Sequence, residues 1–238
     1  MSISMLIRLP SSQQILLQWI ALVVMTLDHY VMIFHDASHW IHYLSRFVYP
    51  MFAYLVVYNY LFRTSNQLKY LGRLLLWGVI SQPFYSWVFD LPFYKLNILF
   101  TLFLGLAFLY GHAYLKARFH SHLALVLSGY FIMSLLFLGL GVFVSYYWFG
   151  LVLLATFAYY FHNPSTFNLV YVAMNVTLLN VISGNLILAL YALSFFLIIN
   201  ASAKVAVEGS IPRLPGWIFY LYYPTHLAVL GFIYQIST

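Results

Sequence analysis

Apolar residues follow one another along this chain in long, near-continuous runs. The runs lie at about 15–34, 46–63, 69–88, 97–115, 123–140, 146–161, 166–182, 185–200 and 217–236. They lack the period-2 alternation of barrel strands, so the pattern predicts helices. Their lengths suit helices crossing a hydrocarbon core of about 30 Å at about 1.5 Å per residue. The prediction is an all-α, polytopic inner-membrane helical bundle of about nine transmembrane helices. Between 123 and 200 there is no Asp, Glu, Lys or Arg, and the breaks rest on Gly139, Gly141, Asn163-Pro164 and Ser183-Gly184. Neither an internal repeat nor a dividing linker is visible, so residues 1–238 read as a single multi-pass membrane domain.

Composition sharpens this picture. Of the 238 residues, 64% are hydrophobic and only 6% are charged, against about 25% charged in soluble domains. A soluble enzyme, a nucleic-acid-binding domain, a fibrous protein and a disordered chain are excluded. The 22 Tyr and 22 Phe suit interfacial belts and a packed bundle. The absence of cysteine removes disulfides, thiolate nucleophiles and Cys-ligated metal. The first run, from Ile15, is too long for a signal-peptide core and contains Asp28 and His29, so it reads as a spanning helix.

The net charge of +6 is spread over helix ends, which points to topology and not to nucleic acid. With nine spans and the N-terminus inside, Arg8, Arg63, Lys69, Arg73, Lys116, Arg118, Lys204 and Arg213 fall on the inner side. Only Arg46 and Lys95 fall outside, near the acids Asp36 and Asp90. The positive-inside rule then places the N-terminus in the cytoplasm of a bacterial cell and the C-terminus outside.

Ionisable residues within a span cost about 2.5–3.5 kcal/mol each on the insertion scale, so each needs a reason. Asp28 and His29 lie deep in the first span, toward the outer leaflet, and point about 100° apart, so each wants a partner on another helix. They read as a site, or as a buried polar pair that locks the bundle. Arg46, at the outer start of the second span, is the natural counter-charge for Asp28. Asn97 and Thr101 open the fourth span on one face. Ser81-Gln82-Pro83 and Tyr223-Pro224-Thr225-His226 each set a proline beside polar groups, where a bent helix can line a cavity. Tyr222 lies one turn before His226 on the same face.

Arg73 is the most embedded of the inner cations. It is a candidate for holding phosphate, with Lys69, Lys116 and Arg118 beside it; the plainer reading makes them topology determinants. His35, His39 and His42 have suggestive spacing but fall in an outer loop, and no metal is expected. Ser165, Asn168, Tyr171 and Asn175 share one face of the seventh span and read as inter-helix hydrogen bonding.

Six motifs occur in a telling order: Asp28-His29; Arg46 to Phe52 (RFVYPMF); Tyr70-Leu71-Gly72-Arg73-Leu74; Ser81-Gln82-Pro83; Leu96 to Leu102 (LNILFTL); and Tyr223-Pro224-Thr225-His226-Leu227. Together they resemble the TraX family of integral inner-membrane proteins, whose best-known member acetylates the N-terminus of conjugative pilin. The resemblance covers the first half and the last span; residues 120–210 match in hydrophobicity alone. Phe84 stands where many relatives carry a second proline.

The resemblance implies transfer of acetyl from acetyl-CoA to the amine of pilin or of a similar small membrane or extracytoplasmic acceptor. It implies catalytic roles for His29, Asp28, His226 and Asn97. His29 is the general base and His226 a second base or relay. Arg46, Gln82, Thr101 and Tyr223 would bind substrate, with Asn97, Gln82 or Tyr223 donating to the developing oxyanion. Arg73, Lys69, Lys116 and Arg118 would hold the CoA phosphates at the inner face. Membrane lipids are the surrounding partner, and no nucleic-acid partner is expected. Two other readings remain open: a small-molecule transporter or permease, and a non-enzymatic pilus assembly factor.

Overall fold

The computed structural model describes residues 11–35, 40–41, 45–181 and 215–237. Among these it is all-helical, with eight α-helices: α1 (Ser11–Phe34), α2 (Val48–Phe62), α3 (Gln67–Val88), α4 (Ile98–Phe119), α5 (Leu123–Leu140), α6 (Tyr147–His162), α7 (Thr166–Val181) and α8 (Gly216–Ser237). A single 3₁₀ turn, Ser45–Phe47, leads into α2. Eight of the nine apolar runs coincide with these helices. The run at 185–200 lies outside the described residues, as do Arg8, Asp36, His39, His42, Lys204 and Arg213. Three helices, α1, α4 and α5, are long and apolar enough to cross a membrane.

Six helices form a closed ring in the order α1, α2, α6, α4, α3, α8 and back to α1, each packed on the next. α5 lies outside the ring against α4, and α7 lies outside it against α6. The ring interior is filled by side chains such as Leu22, Val57, Leu74, Leu102, Leu106 and Leu154. α5 buries none of its residues, although it is the most apolar of the three long helices. Its face is therefore presented to an apolar surround.

Local chemistry sets the helix ends. Asn66 caps α3 by accepting the Lys69 N–H at 2.9 Å, and Asn97 caps α4 by accepting the Leu99 N–H at 3.0 Å. Pro50 sits in the first turn of α2, where its missing N–H costs nothing. Pro83 and Pro224 lie inside α3 and α8, and both helices run through them. Each proline removes one rung, and packing against neighbouring helices keeps the helix continuous.

Cross-ring contacts fix the directions. Gln14 of α1 meets Arg63 at the end of α2. Tyr222 of α8 meets Thr26 of α1, and Tyr234 of α8 meets Phe34, so α8 runs parallel to α1. α6 and α7 form a hairpin joined by Asn163–Ser165, which makes α7 parallel to α1 as well. Val181 and Pro215 therefore lie at opposite ends of the bundle.

Candidate active site

A cavity of about 990 Å³ opens at the end of the ring where α1, α3 and α8 finish and α2, α4 and α6 begin. Each ring helix or its flanking turn supplies a wall. Asp28 and His29 come from α1, Ser45 and Arg46 from the 3₁₀ turn, Tyr85 and Phe89 from the end of α3, Ile98 from α4, Tyr146 from the turn before α6, and Tyr223 from α8.

At its base the two histidines meet. His29 Nδ1 and His226 Nε2 are 2.8 Å apart, with their rings nearly parallel at 8°. The proton positions follow from the third member. His226 Nδ1 lies 2.8 Å from the Tyr222 carbonyl oxygen, which can only accept, so Nδ1 of His226 carries a proton. In a neutral His226 the Nε2 is then an acceptor, and His29 Nδ1–H donates to it. Neutral His29 is left with a bare Nε2. Around it lie Phe89, edge-on at 5.2 Å, and Tyr223 at 6.3 Å.

One turn below, a second link ties α1 to α8. The Thr26 hydroxyl donates to the Leu22 carbonyl, so it accepts from the Tyr222 hydroxyl at 2.5 Å. The Tyr222 ring stacks on His226 at 5.1 Å. Tyr222 thus holds His226 twice, by its carbonyl and by its ring. The Ser45 hydroxyl donates to Asp28 Oδ1 at 2.6 Å, which fixes the carboxylate on the cavity wall that His29 and Arg46 also line.

Gln82, Asn97 and Thr101 stand elsewhere. Gln82 accepts from the Asn97 backbone N–H at 3.0 Å and from Asn97 Nδ2 at 2.9 Å. Its amide donates to the carbonyls of Lys95 at 2.8 Å and Phe93 at 3.2 Å. Asn97 Nδ2 also donates to the Gly78 carbonyl at 2.9 Å. The Thr101 hydroxyl donates to the Ser145 carbonyl at 2.8 Å. All three residues are buried. Their donors are spent on protein groups, and none of them lines the cavity. The sequence expectation is an oxyanion donor or substrate contact at Asn97, Gln82 or Thr101; the structure holds all three in protein hydrogen bonds away from the cavity lining. They clamp the loops at 89–97 and 141–146, which carry Phe89 and Tyr146 to the cavity. Ser145 continues the clamp by donating to the Leu96 carbonyl at 3.0 Å.

The four inner cations are not brought to the cavity. Lys69 and Arg73 stand exposed near the start of α3, and Lys116 and Arg118 near the end of α4. Arg73, expected to be embedded, faces outward beside the Tyr70 and Tyr220 hydroxyls. It precedes Tyr85 by twelve residues, about 18 Å along the helix, and the core lies between. Sequence reasoning missed Ser45, Tyr85, Phe89 and Tyr146. Thr26 sits one turn before Asp28-His29, and that spacing was the only available signal for it.

A profile of the family described as "TraX protein" matches residues 13–234. The chain belongs to the TraX family. A probable fimbrial assembly protein, FimC of serogroup H1, from Dichelobacter nodosus is 38% identical over 104 residues, covering 38% of this chain and 42% of that protein. Protein TraX of Escherichia coli is 33% identical over 89 residues, covering 37% of this chain and 36% of that protein. The alignments therefore span less than half of either relative. No solved structure matches the chain. Membership of the TraX family agrees with the membrane character of the three long apolar helices.

Proposed function

We propose that the chain is a multi-pass acetyltransferase of the bacterial inner membrane. Acetyl-CoA is the donor, and the N-terminal amine of a pilin or a similar small extracytoplasmic protein is the acceptor. The observation that carries this reading is the bare Nε2 of His29 at a cavity to which this cysteine-free chain offers no thiol nucleophile. Ser45 and Ser145, the cavity's two serines, have already donated their protons. His29 Nε2 accepts the proton of the acceptor amine as its nitrogen attacks the thioester carbonyl carbon. The C–N bond forms, the C–S bond breaks, and the CoA thiolate leaves and is reprotonated. His29 becomes an imidazolium, balanced by the adjacent Asp28 carboxylate, which Ser45 holds in place. Tyr223 and Arg46, on the wall, position the two substrates.

The chain crosses the membrane nine times with its N-terminus in the cytoplasm, and the charges at the two ends of the bundle support that orientation. Among the described residues, Arg63, Lys69, Arg73, Lys116 and Arg118 lie at the basic end, whereas only Arg46 and Lys95 lie at the cavity end, with Asp28 and Asp90 beside them. That division follows the positive-inside rule with the cavity facing out. Arg73 and Lys69 then meet the donor phosphates from the cytoplasm.

The test uses the full chain in liposomes with radiolabelled acetyl-CoA and a pilin N-terminal peptide. His29→Ala should lower acetyl transfer about 10²-fold or more, and Arg73→Ala should raise the acetyl-CoA KM while leaving the peptide KM unchanged. Acetyl transfer that survives His29→Ala in full refutes the assignment. Absence of any transfer by the wild-type chain would favour a non-enzymatic assembly role, the reading supported by the name of the fimbrial relative.

A further inference from the structure

A second large hollow, about 1090 Å³, lies outside the ring between α4, α5 and α6. It is a wedge with a closed apex and a basic mouth. At the cavity end α5 and α6 are pinned together: Trp148 Nε1 donates to the Leu138 carbonyl at 3.1 Å, and Gly141 admits the Trp148 ring so closely that a Cβ there would lie 2.2 Å from it. Toward the other end the two helices diverge. α5 stays on α4 through close glycine contacts, Gly129 on Leu115 and Gly111 on Met133, and through stacking of Tyr130 on His112 at 5.2 Å. α6 stays on α4 at Gly105, where a Cβ would strike Leu154. The floor between them runs from Gly105 down to Lys116.

The chemistry changes along that floor. Near the apex the lining is Phe137, Leu138 and Leu151; at the mouth it is His112, Lys116, His162 and Asn163. No Asp or Glu occurs in the chain between Asp90 and Glu208, so α4, α5 and α6 contain nothing to neutralise Lys116. From Gly105 to Lys116 the floor is about 16 Å long, close to one leaflet of a core of about 30 Å. An apolar slot one leaflet deep, open on its side and ending in a cation that no carboxylate of α4, α5 or α6 neutralises, matches one acyl chain joined to an anionic headgroup.

We infer that this wedge is a binding site for an anionic phospholipid, with an acyl chain between α5 and α6 and its phosphate at Lys116, assisted by His112 and His162. The leaflet rests on the orientation proposed above and is the cytoplasmic one; the site itself does not depend on acetyl transfer. Lys116, expected from the sequence as a helper for CoA phosphates, is thereby given to lipid.

Native mass spectrometry of the full chain released from mixed micelles containing equal phosphatidylglycerol and phosphatidylcholine tests this. The wild-type chain should retain one phosphatidylglycerol in preference to phosphatidylcholine by about fivefold, the scale of one cation at an anionic lipid surface. Lys116→Gln should abolish the preference, and Lys116→Arg should keep it. Ala155→Trp fills the slot from an exposed position on α6 and should remove the bound lipid of both kinds. Retention unchanged in Ala155→Trp, or a preference unchanged in Lys116→Gln, overturns the site. One-for-one displacement of the lipid by acetyl-CoA would also overturn it and return the wedge to the donor. None of these readouts involves catalysis, so failure here and failure of the acetyltransferase reading are separable.

Discussion

His226 sets the proton on His29, and removing it has a consequence that can be worked through. In His226→Leu the His29 Nδ1–H loses its acceptor 2.8 Å away. A buried donor left unsatisfied costs about 1–3 kcal/mol, so stability should fall by that order. The larger effect is on chemistry. Without the acceptor, His29 can place its proton on Nε2, where it blocks the base, or rotate away from the cavity. In the serine-protease template, loss of the tautomer-holding carboxylate lowers kcat about 10⁴-fold. There a charged group is lost; here a neutral imidazole is, so a fall of about 10²–10³-fold in kcat is expected, with the acetyl-CoA KM little changed. His226→Gln supplies a carbonyl oxygen at a similar reach and should recover part of the loss. The assay is acetyl transfer in liposomes, paired with ¹⁵N NMR of the His29 imidazole. In the wild-type chain the protonated nitrogen should be Nδ1. Full kcat in His226→Leu, or a His29 spectrum showing the proton on Nε2 in the wild-type chain, would refute the reasoning. A His226→Gln variant as impaired as His226→Leu would show that accepting the Nδ1–H is not what His226 contributes.

Three further outcomes follow from the same geometry. Gln82→Leu strands the Asn97 amides and the Lys95 carbonyl and should cost about 3 kcal/mol or more at about 1–3 kcal/mol per buried unsatisfied group, read as a lower midpoint in denaturant titration of the detergent-solubilised chain; an unchanged midpoint would remove the clamp. Gly150→Ala puts a Cβ 2.8 Å from the Tyr49 hydroxyl and 2.9 Å from Tyr146 Cβ, displacing Tyr49 from its 2.7 Å bond to the Gly150 carbonyl; overpacking of about 1–3 kcal/mol is expected, and an unaltered melting temperature would contradict it. Because the chain has no cysteine, Tyr94→Cys at the cavity end should react with an impermeant thiol reagent in intact cells, and Ser65→Cys at the basic end only after the membrane is opened. The reverse pattern would invert the orientation and put the cavity in the cytoplasm.

What the sequence determined by itself is one-dimensional. Apolar run length located the helices, because the cost of exposing backbone and charge to hydrocarbon acts residue by residue along the chain. The same cost singled out Asp28, His29 and His226 as needing a reason. Asn97 was legible as a cap, since it stands immediately before an apolar run, yet its polarity suggested catalysis instead. The tertiary structure decided which polar groups are spent and which are free. His29 and His226 are 197 positions apart, and only the closing of the ring by α8 onto α1 brings them to hydrogen-bond distance. Gln82, Asn97 and Thr101 look as reactive as the histidines in the sequence, but their donors and acceptors are satisfied by backbone groups of two loops that no local pattern announces. Lys116 looked like the other inner cations, and the side of α4 it occupies turns it toward a lipid-sized wedge. Hydrogen-bond saturation and facing direction are properties of pairs of distant residues, which is why the fold was legible in the sequence and the division of labour within the site was not.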